Sequence, residues 1–449
     1  MRSQTNPSSG CPVRGEPVVP PMCAPSTGEQ DLAMNQPQQG VTERGDTPEV
    51  RWNDSGFHYE PATELAPSTD VERFSVVVIG GGQAGLAAGY HLAQRGIDFV
   101  ILEKGARLGE SWRRRWDSLR LFTPARYDGL PGWPFPGEER TYPTKDQMAD
   151  YLEKYAERFR LPVRLGIDVL GLTRNERGLF VVECAEGRIE TDQVIVATGA
   201  HATQRRPSFA ADLDPQIIQL HAGEYRNPSQ LQEGGVLVVG AGNSGSEIAI
   251  ESAQAGHRTW LAGRSTGQVS PAAYSLDGRL FWFVANHVLT VRTPLGRKAR
   301  KLMLSHGGLL INLTREDVTR AGVELTPRVA SVVGGRPKLD DGRCLDVANV
   351  VWCTGFGHDF SWIRLPVLDA DGMPRHERGV LPSEPGLYFV GLPFLTRFAS
   401  ALVGGAGRDA GEIVEHAARA LSPVGRLAAE SPRFEPQNNR DRLPQISGT

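Results

Sequence analysis

Hydrophobic positions follow no sustained period over residues 1–72, and then the pattern changes at once. That leader holds ten prolines and polar runs such as Gln36-Pro-Gln-Gln39, the composition of a disordered segment. Phe74-Ser-Val-Val-Val-Ile79 is a β-branched run and reads as a strand buried on both faces of a parallel sheet. Glycines follow, then apolar residues at helical spacing (Leu86, Ala87, Tyr90, Leu92, Ala93), closed by Gly96. Asp98-Phe-Val-Ile-Leu102 is the next strand, so residues 74–102 predict one strand–helix–strand unit. The same grammar returns later, Gly80 and Gly240 standing 160 residues apart: a strand at 236–239, a glycine loop at 240–245, a helix at 247–254 stopped by Gly256, and a strand at 259–261. Val350-Val-Trp-Cys353 predicts a further buried strand, and 267–320 predicts helices. The aromatic-rich stretch 280–289 is broken by Asn286 and His287 and reads as a helix docked on the body of the protein. Nowhere do about 18 apolar residues run together, so no membrane span is expected. From Pro423 onward the chain is polar and proline-broken, which predicts a flexible tail over 425–449.

Composition narrows the reading. A length of 449 residues suggests about three folding units, or two with insertions. The net charge of −3 gives no argument for a nucleic-acid partner. The leader lacks the apolar core of a secretory signal, so a cytoplasmic protein is expected. Cysteines 11, 23, 184, 344 and 353 form no CxxC pair and do not cluster with histidine, so neither a disulfide scaffold nor a metal site is expected.

The 51 glycines concentrate in short loops, and two of these carry chemistry. Gly80-Gly-Gly82-Gln83-Ala84-Gly85 fits G-x-G-x-x-G between a strand and a helix. Its glycines permit a tight turn, approach of the backbone to a pyrophosphate, and close helix–strand packing. The helix start offers free N–H groups and a positive dipole end. Glu103, with Lys104 after it, ends the second strand, where a carboxylate accepts ribose hydroxyls. Gly240-Ala-Gly242-Asn243-Ser244-Gly245 repeats the pattern, but the place of the acid is taken by Gly263, followed by Arg264 and Ser265. A guanidinium and a hydroxyl suit a 2′-phosphate. The first cradle therefore suits FAD or NAD and the second NADPH, and a protein holding both FAD and NADPH passes hydride from one to the other.

With these motifs in place the chain resembles the flavin-containing monooxygenase superfamily over roughly 74–420, and within it the bacterial proteins similar to plant indole-3-pyruvate monooxygenases. The resemblance rests on Val78–Gly85, on Gly109-Glu-Ser-Trp112-Arg113, on Leu121-Phe-Thr-Pro124, on Tyr142-Pro-Thr-Lys145-Asp146, on Val196-Ala-Thr198-Gly199, on 240–247, on Trp352-Cys-Thr354-Gly355 and on 387–391, in the family's order. It implies an α/β fold of two doubly wound, Rossmann-like dinucleotide-binding domains. The FAD domain (73–205 and 356–424) is split by the NADP domain (206–355). It further implies an NADPH-dependent FAD monooxygenase that uses a flavin C4a-(hydro)peroxide to oxygenate a small organic substrate with O₂. A flavoprotein oxidoreductase without oxygenation and a nucleotide-sensing flavoprotein remain the alternatives. Thr198-Gly199 and Thr354-Gly355 would end the strands joining the domains, and Trp112 with Arg113 would pack beside the flavin.

Some residues depart from the family pattern. His221 sits in only half of the monooxygenase fingerprint and reads as shaping the interdomain linker. The family's asparagine near the flavin is missing from 121–126, which leaves Thr123 as a geometric candidate. Asn243 reads either as a contact to the nicotinamide or flavin edge or as a helix cap. Asp409 is an alternative contact near the flavin ring. Lys145 and the run 297–301 read as surface charge.

Overall fold

The computed structural model describes residues 71–199, 203–265, 267–270, 278–306 and 308–422; the predicted tail, and all of the predicted leader but its last two residues, lie outside the described residues. The first sheet uses β1 (Glu72–Ile79), β2 (Phe99–Glu103), β3 (Val163–Leu165), β4 (Val169–Arg174), β5 (Phe180–Cys184) and β6 (Gly187–Val196), with helices α1 (Gln83–Ala93), α2 (Glu110–Arg113) and α3 (Lys145–Arg158). Its order is β3-β2-β1-β6-β5-β4. The strands from β3 to β6 run parallel, and β5 and β4 turn back antiparallel. Val76, Val77 and Val78 are fully buried in β1, which is why that strand shows no polar alternation.

The chain leaves this sheet through β7 (Thr203–Gln204) and builds a second one. Here β8 (Ile218–His221), β9 (Val236–Val239), α4 (Asn243–Gln254), β10 (Thr259–Ala262), α5 (Arg279–Phe283), α6 (Pro294–His306), α7 (Arg315–Arg320), β11 (Glu324–Thr326), the hairpin of β12 (Val329–Val333) and β13 (Arg336–Leu339), and β14 (Asn349–Trp352) follow in turn. The sheet order is β11-β10-β9-β14-β8, parallel throughout. β15 (Phe356–Gly357) then pairs antiparallel with β7, and β16 (Leu387–Phe389) rejoins the first sheet beside β6. α8 (Val403–Leu421) closes the described chain. The first domain is thus interrupted by the second, the architecture that the family resemblance implies.

Small residues set the closeness of the layers. A Cβ on Gly89 of α1 would stand 2.7 Å from the Ile101 side chain, so α1 lies tight on the sheet. α8 covers the other side of α1, where the His91 ring nitrogen meets the Gly407 carbonyl at 3.1 Å.

Two expectations need correction. The second helix begins at Asn243, not 247, because its first turn, Asn-Ser-Gly-Ser, is polar and carries no hydrophobic period. Lys145 is buried, not a surface charge. Its ammonium donates to the Arg113 carbonyl (3.2 Å) and pairs with Asp146 (3.1 Å), which satisfies the charge at the start of α3.

Candidate cofactor and substrate site

The two cradles are built alike. Gly80 and Gly240 have φ of 110° and 114°, a region that favours glycine. A Cβ on Gly80 would come 2.6 Å from the Ala197 carbonyl oxygen, and one on Gly240 would come 2.3 Å from that of Cys353. Gly85 and Gly245 face the same turn: their Cβ atoms would fall 1.9 and 1.8 Å from the oxygens of Gly80 and Gly240. Gly82 and Gly242 behave oppositely. Each precedes a helix with no side-chain cap, and a Cβ there would meet nothing within 4 Å. Open backbone at a helix start is what an approaching diphosphate requires.

The cradles differ where ribose would lie. The Glu103 carboxylate accepts from the Gly81 N–H (2.6 Å) and the Gly105 N–H (2.9 Å). Each oxygen keeps a second lone pair for a hydroxyl donor. At the matching place in the second cradle a Cβ on Gly263 would stand 2.8 Å from the Ala241 nitrogen, so no acid can replace it. Arg264 and Ser265 are exposed, and Arg264 makes no ion pair among the described residues. Ser265 Oγ accepts from the Gly267 N–H at 3.4 Å. The residues therefore fit an unphosphorylated ribose in one cradle and a phosphorylated one in the other.

Other predicted site residues fall in different roles. Gln83 and Ala84 open α1, and Ala84 touches Gly391 on the return from β16. Ser244 lies in the first turn of α4. Lys104 pairs with Asp168 at 2.8 Å on the surface. Trp112 is half-buried against the main core, and the Arg113 guanidinium is held by Asp150 and Glu153, both at 2.8 Å. The cap reading of Asn243 is not what the structure shows. Its amide donates to the Leu309 carbonyl (3.1 Å) and accepts from the Ile311 N–H (3.0 Å), latching α4 to the segment before α7. Asp409 accepts from Thr396 Oγ1 (2.5 Å) and Arg397 Nε (3.3 Å), tying α8 to the loop before it.

The two chain crossings are held by histidines. Thr354 Oγ1 donates to the Arg205 carbonyl. The Gly355 carbonyl receives the Arg205 N–H (3.1 Å) and faces His221 Nε2 (3.0 Å). Because His221 Nδ1 accepts from the Gly223 N–H (3.1 Å), the Nε2 position carries the proton. Burial pushes this imidazole below its ordinary range, so it is neutral and structural. His358 Nδ1 stands 3.3 Å from the carbonyl of Gly199, the residue after Thr198, and holds the other crossing in the same way.

A cavity of about 320 Å³ opens at the start of α8, beyond the loop that leaves Gly391. Its wall brings together Thr123, Tyr127, Trp282, Asn286, Arg279 and Arg408, and among the described residues no Asp or Glu lines it. A single π turn, Val284–Val288, continues α5 and presents Asn286 and His287 to the cavity. Arg408 donates to His287 Nε2 (3.1 Å). Trp282 Nε1 and Asn286 Oδ1 are buried with no hydrogen-bond partner among the described residues. Beneath the wall Thr123 Oγ1 donates to Asp128, whose second oxygen has no partner there either. Burial pushes the Asp128 carboxyl up to about 7. Of this group the sequence marked Thr123 alone. Asn286 and His287 were visible as breaks in an aromatic run, but nothing local marked Asp128 or Arg408.

The chain is similar to known flavin and pyridine-nucleotide oxidoreductases. The pyridine nucleotide-disulphide oxidoreductase family matches residues 77–279. An "uncharacterized oxidoreductase CzcO-like" of Geobacillus kaustophilus is 42% identical over 339 residues, covering 75% of this chain and 95% of that protein. The probable indole-3-pyruvate monooxygenase YUCCA3 of Arabidopsis thaliana is 29% identical over 370 residues, covering 73% and 84%. Among solved structures, the flavin-containing monooxygenase from Stenotrophomonas maltophilia superposes with a TM-score of 0.65 at 28% identity, over 78% of this chain and 100% of that one.

Proposed function

The chain belongs to the flavin-containing monooxygenase superfamily, and from that premise we propose that it is an NADPH-dependent monooxygenase of a small, negatively charged organic substrate. It is an FAD-dependent oxidoreductase, with FAD and NADPH as cofactors. The observation that carries the finer reading is the inequality of the cradles: Glu103 fixed by two backbone N–H groups in one, a sterically enforced Gly263 followed by Arg264 in the other.

When bound, NADPH supplies hydride and the flavin activates O₂ for transfer of one oxygen atom. The chain's own residues bind and orient. Gly80, Gly82 and Gly85, with Gln83 and Ala84, receive the FAD diphosphate at the start of α1, and Glu103 takes its ribose. Gly240, Gly242 and Gly245, with Ser244, do the same for NADPH, and Arg264 and Ser265 hold the 2′-phosphate. The domain boundaries belong to this proposal: FAD domain at 73–205 and 356–424, NADP domain at 206–355. The pairing of β7 with β15 at both crossings supports them.

The substrate would sit in the cavity at α8. Arg279 and Arg408 favour a negative group there, and Tyr127 and Trp282 supply an apolar wall. An oxo acid such as the one in the relatives' names fits that chemistry. Beneath the cavity wall Asp128, bonded to Thr123, holds a proton near neutrality. Dithiol chemistry has no support among the described residues: Cys344 is exposed, and burial pushes the Cys353 thiol far up. Turnover of indole-3-pyruvate with NADPH under ¹⁸O₂ tests the oxygenase reading. One labelled oxygen in the product is expected. NADPH consumption that yields only H₂O₂, with this and other organic acids, would overturn it.

A further inference from the structure

Net charge conceals a strong local asymmetry. Between Gly278 and Arg315 the chain carries seven Lys or Arg and no Asp or Glu, in a protein whose total is −3. Four of those bases, Arg297, Lys298, Arg300 and Lys301, lie on α6. None of the four joins an ion pair among the described residues; Arg297 donates only to the carbonyls of Val291 and Arg292. The same stretch exposes apolar side chains. Leu280, Phe283, Leu295, Leu302 and Leu304 are each more than half exposed, five of the seven large hydrophobic residues so exposed among the described residues.

Helical spacing orders them. Leu295, Lys298 and Leu302 follow at i, i+3 and i+7 and share one exposed face of α6, while Ala299 and Met303 turn toward the aromatic cluster of Trp282 and Phe398. Lys301 and then Arg297 continue the exposed side round from that face toward Leu304, while Arg300 lies half-buried on the far side. On α5 and its π continuation Leu280, Phe283 and His287 share a face in the same way, and Phe283 and His287 also line the cavity.

We propose that the face formed by α5 and α6 docks on an anionic lipid surface, with its leucines and Phe283 in the headgroup boundary and its bases on the lipid phosphates. Exposed apolar residues interleaved with unpaired bases are the pattern of an interfacial helix, and long lysine stems reach outward from such a boundary. No helix among the described residues is long and apolar enough to cross a membrane, so docking lies in the plane of the surface. A second copy of the chain fits less well, since a two-fold contact would set these bases against each other. Nucleic acid accounts for the bases but leaves the leucines in water. Phe283 belongs to both the face and the cavity wall, so an amphiphilic acid dissolved in the bilayer would have a short path to the site.

The test uses the full chain loaded with FAD. It is sedimented with vesicles of phosphatidylcholine alone, and of phosphatidylcholine and phosphatidylglycerol in equal parts, at low and high salt. Binding to the mixed vesicles only, weakened by salt, is expected. Lys298→Glu with Lys301→Glu, and separately Leu295→Gln with Leu302→Gln, should each lower partitioning about tenfold. Four outcomes would overturn the proposal: no binding to either vesicle, binding untouched by both variant pairs, retention on duplex DNA without vesicle binding, or leucine variants that change only self-association. FAD content and vesicle-free NADPH oxidation, read on the same samples, keep the flavin reading separate.

Discussion

Arg264 and Asp128 each put one physical argument at risk. Arg264 is exposed and unpaired among the described residues, so its proposed partner is a group on the nucleotide. Arg264→Ala should raise the KM for NADPH about tenfold and leave that for NADH unchanged, the low end of the ~1.5–3 kcal/mol for a hydrogen bond to a charged group. Equal effects on both nucleotides would remove the 2′-phosphate role. Asp128 has its folded pKa raised from 3.8 to about 7 by burial. Its ionised form is disfavoured in the folded state, so stability is full below the unfolded pKa and is lost as pH rises through about 7. Asp128→Asn removes that titration. Denaturant unfolding from pH 4 to 8 should show wild type losing of the order of 4 kcal/mol relative to the variant, an upper figure. A flat difference would mean that Asp128 is ionised throughout.

At the scale of elements, α1 separates binding from folding within one turn. Gly82→Val meets open space and should leave the circular dichroism unchanged while abolishing FAD retention. Gly85→Val drives a side chain into the Gly80 carbonyl and should cost about 3 kcal/mol or more. If both variants keep FAD, the first cradle is misassigned. Both cradles were legible in the sequence because strand period, glycines and helix period change within a few residues, and the swap from Glu103 to Gly263 was legible as a spacing. The cavity was not, because its wall is assembled from segments 123–129, 279–287 and 399–408, which each contribute four or five residues with no local pattern. The latch made by Asn243 was not legible for a related reason: its partners, Leu309 and Ile311, lie on another segment. Lys145 looked like any surface lysine, since the carbonyl and carboxylate that satisfy it depend on how α2 and α3 pack.

Across the whole molecule, one sheet is interrupted so that a second can be inserted, and both crossings are pinned by neutral histidines on glycine carbonyls. Nesting places two similar but unequal nucleotide sites in one chain, which is the central claim. It is tested most directly by anaerobic stopped-flow reduction of the purified protein, after titration with FAD, by NADPH and by NADH. The account predicts one FAD per chain, with rapid bleaching of the flavin by NADPH and much slower bleaching by NADH at equal concentration. A chain that stays colourless with FAD, or a flavin bleached equally by the two nucleotides, would contradict it.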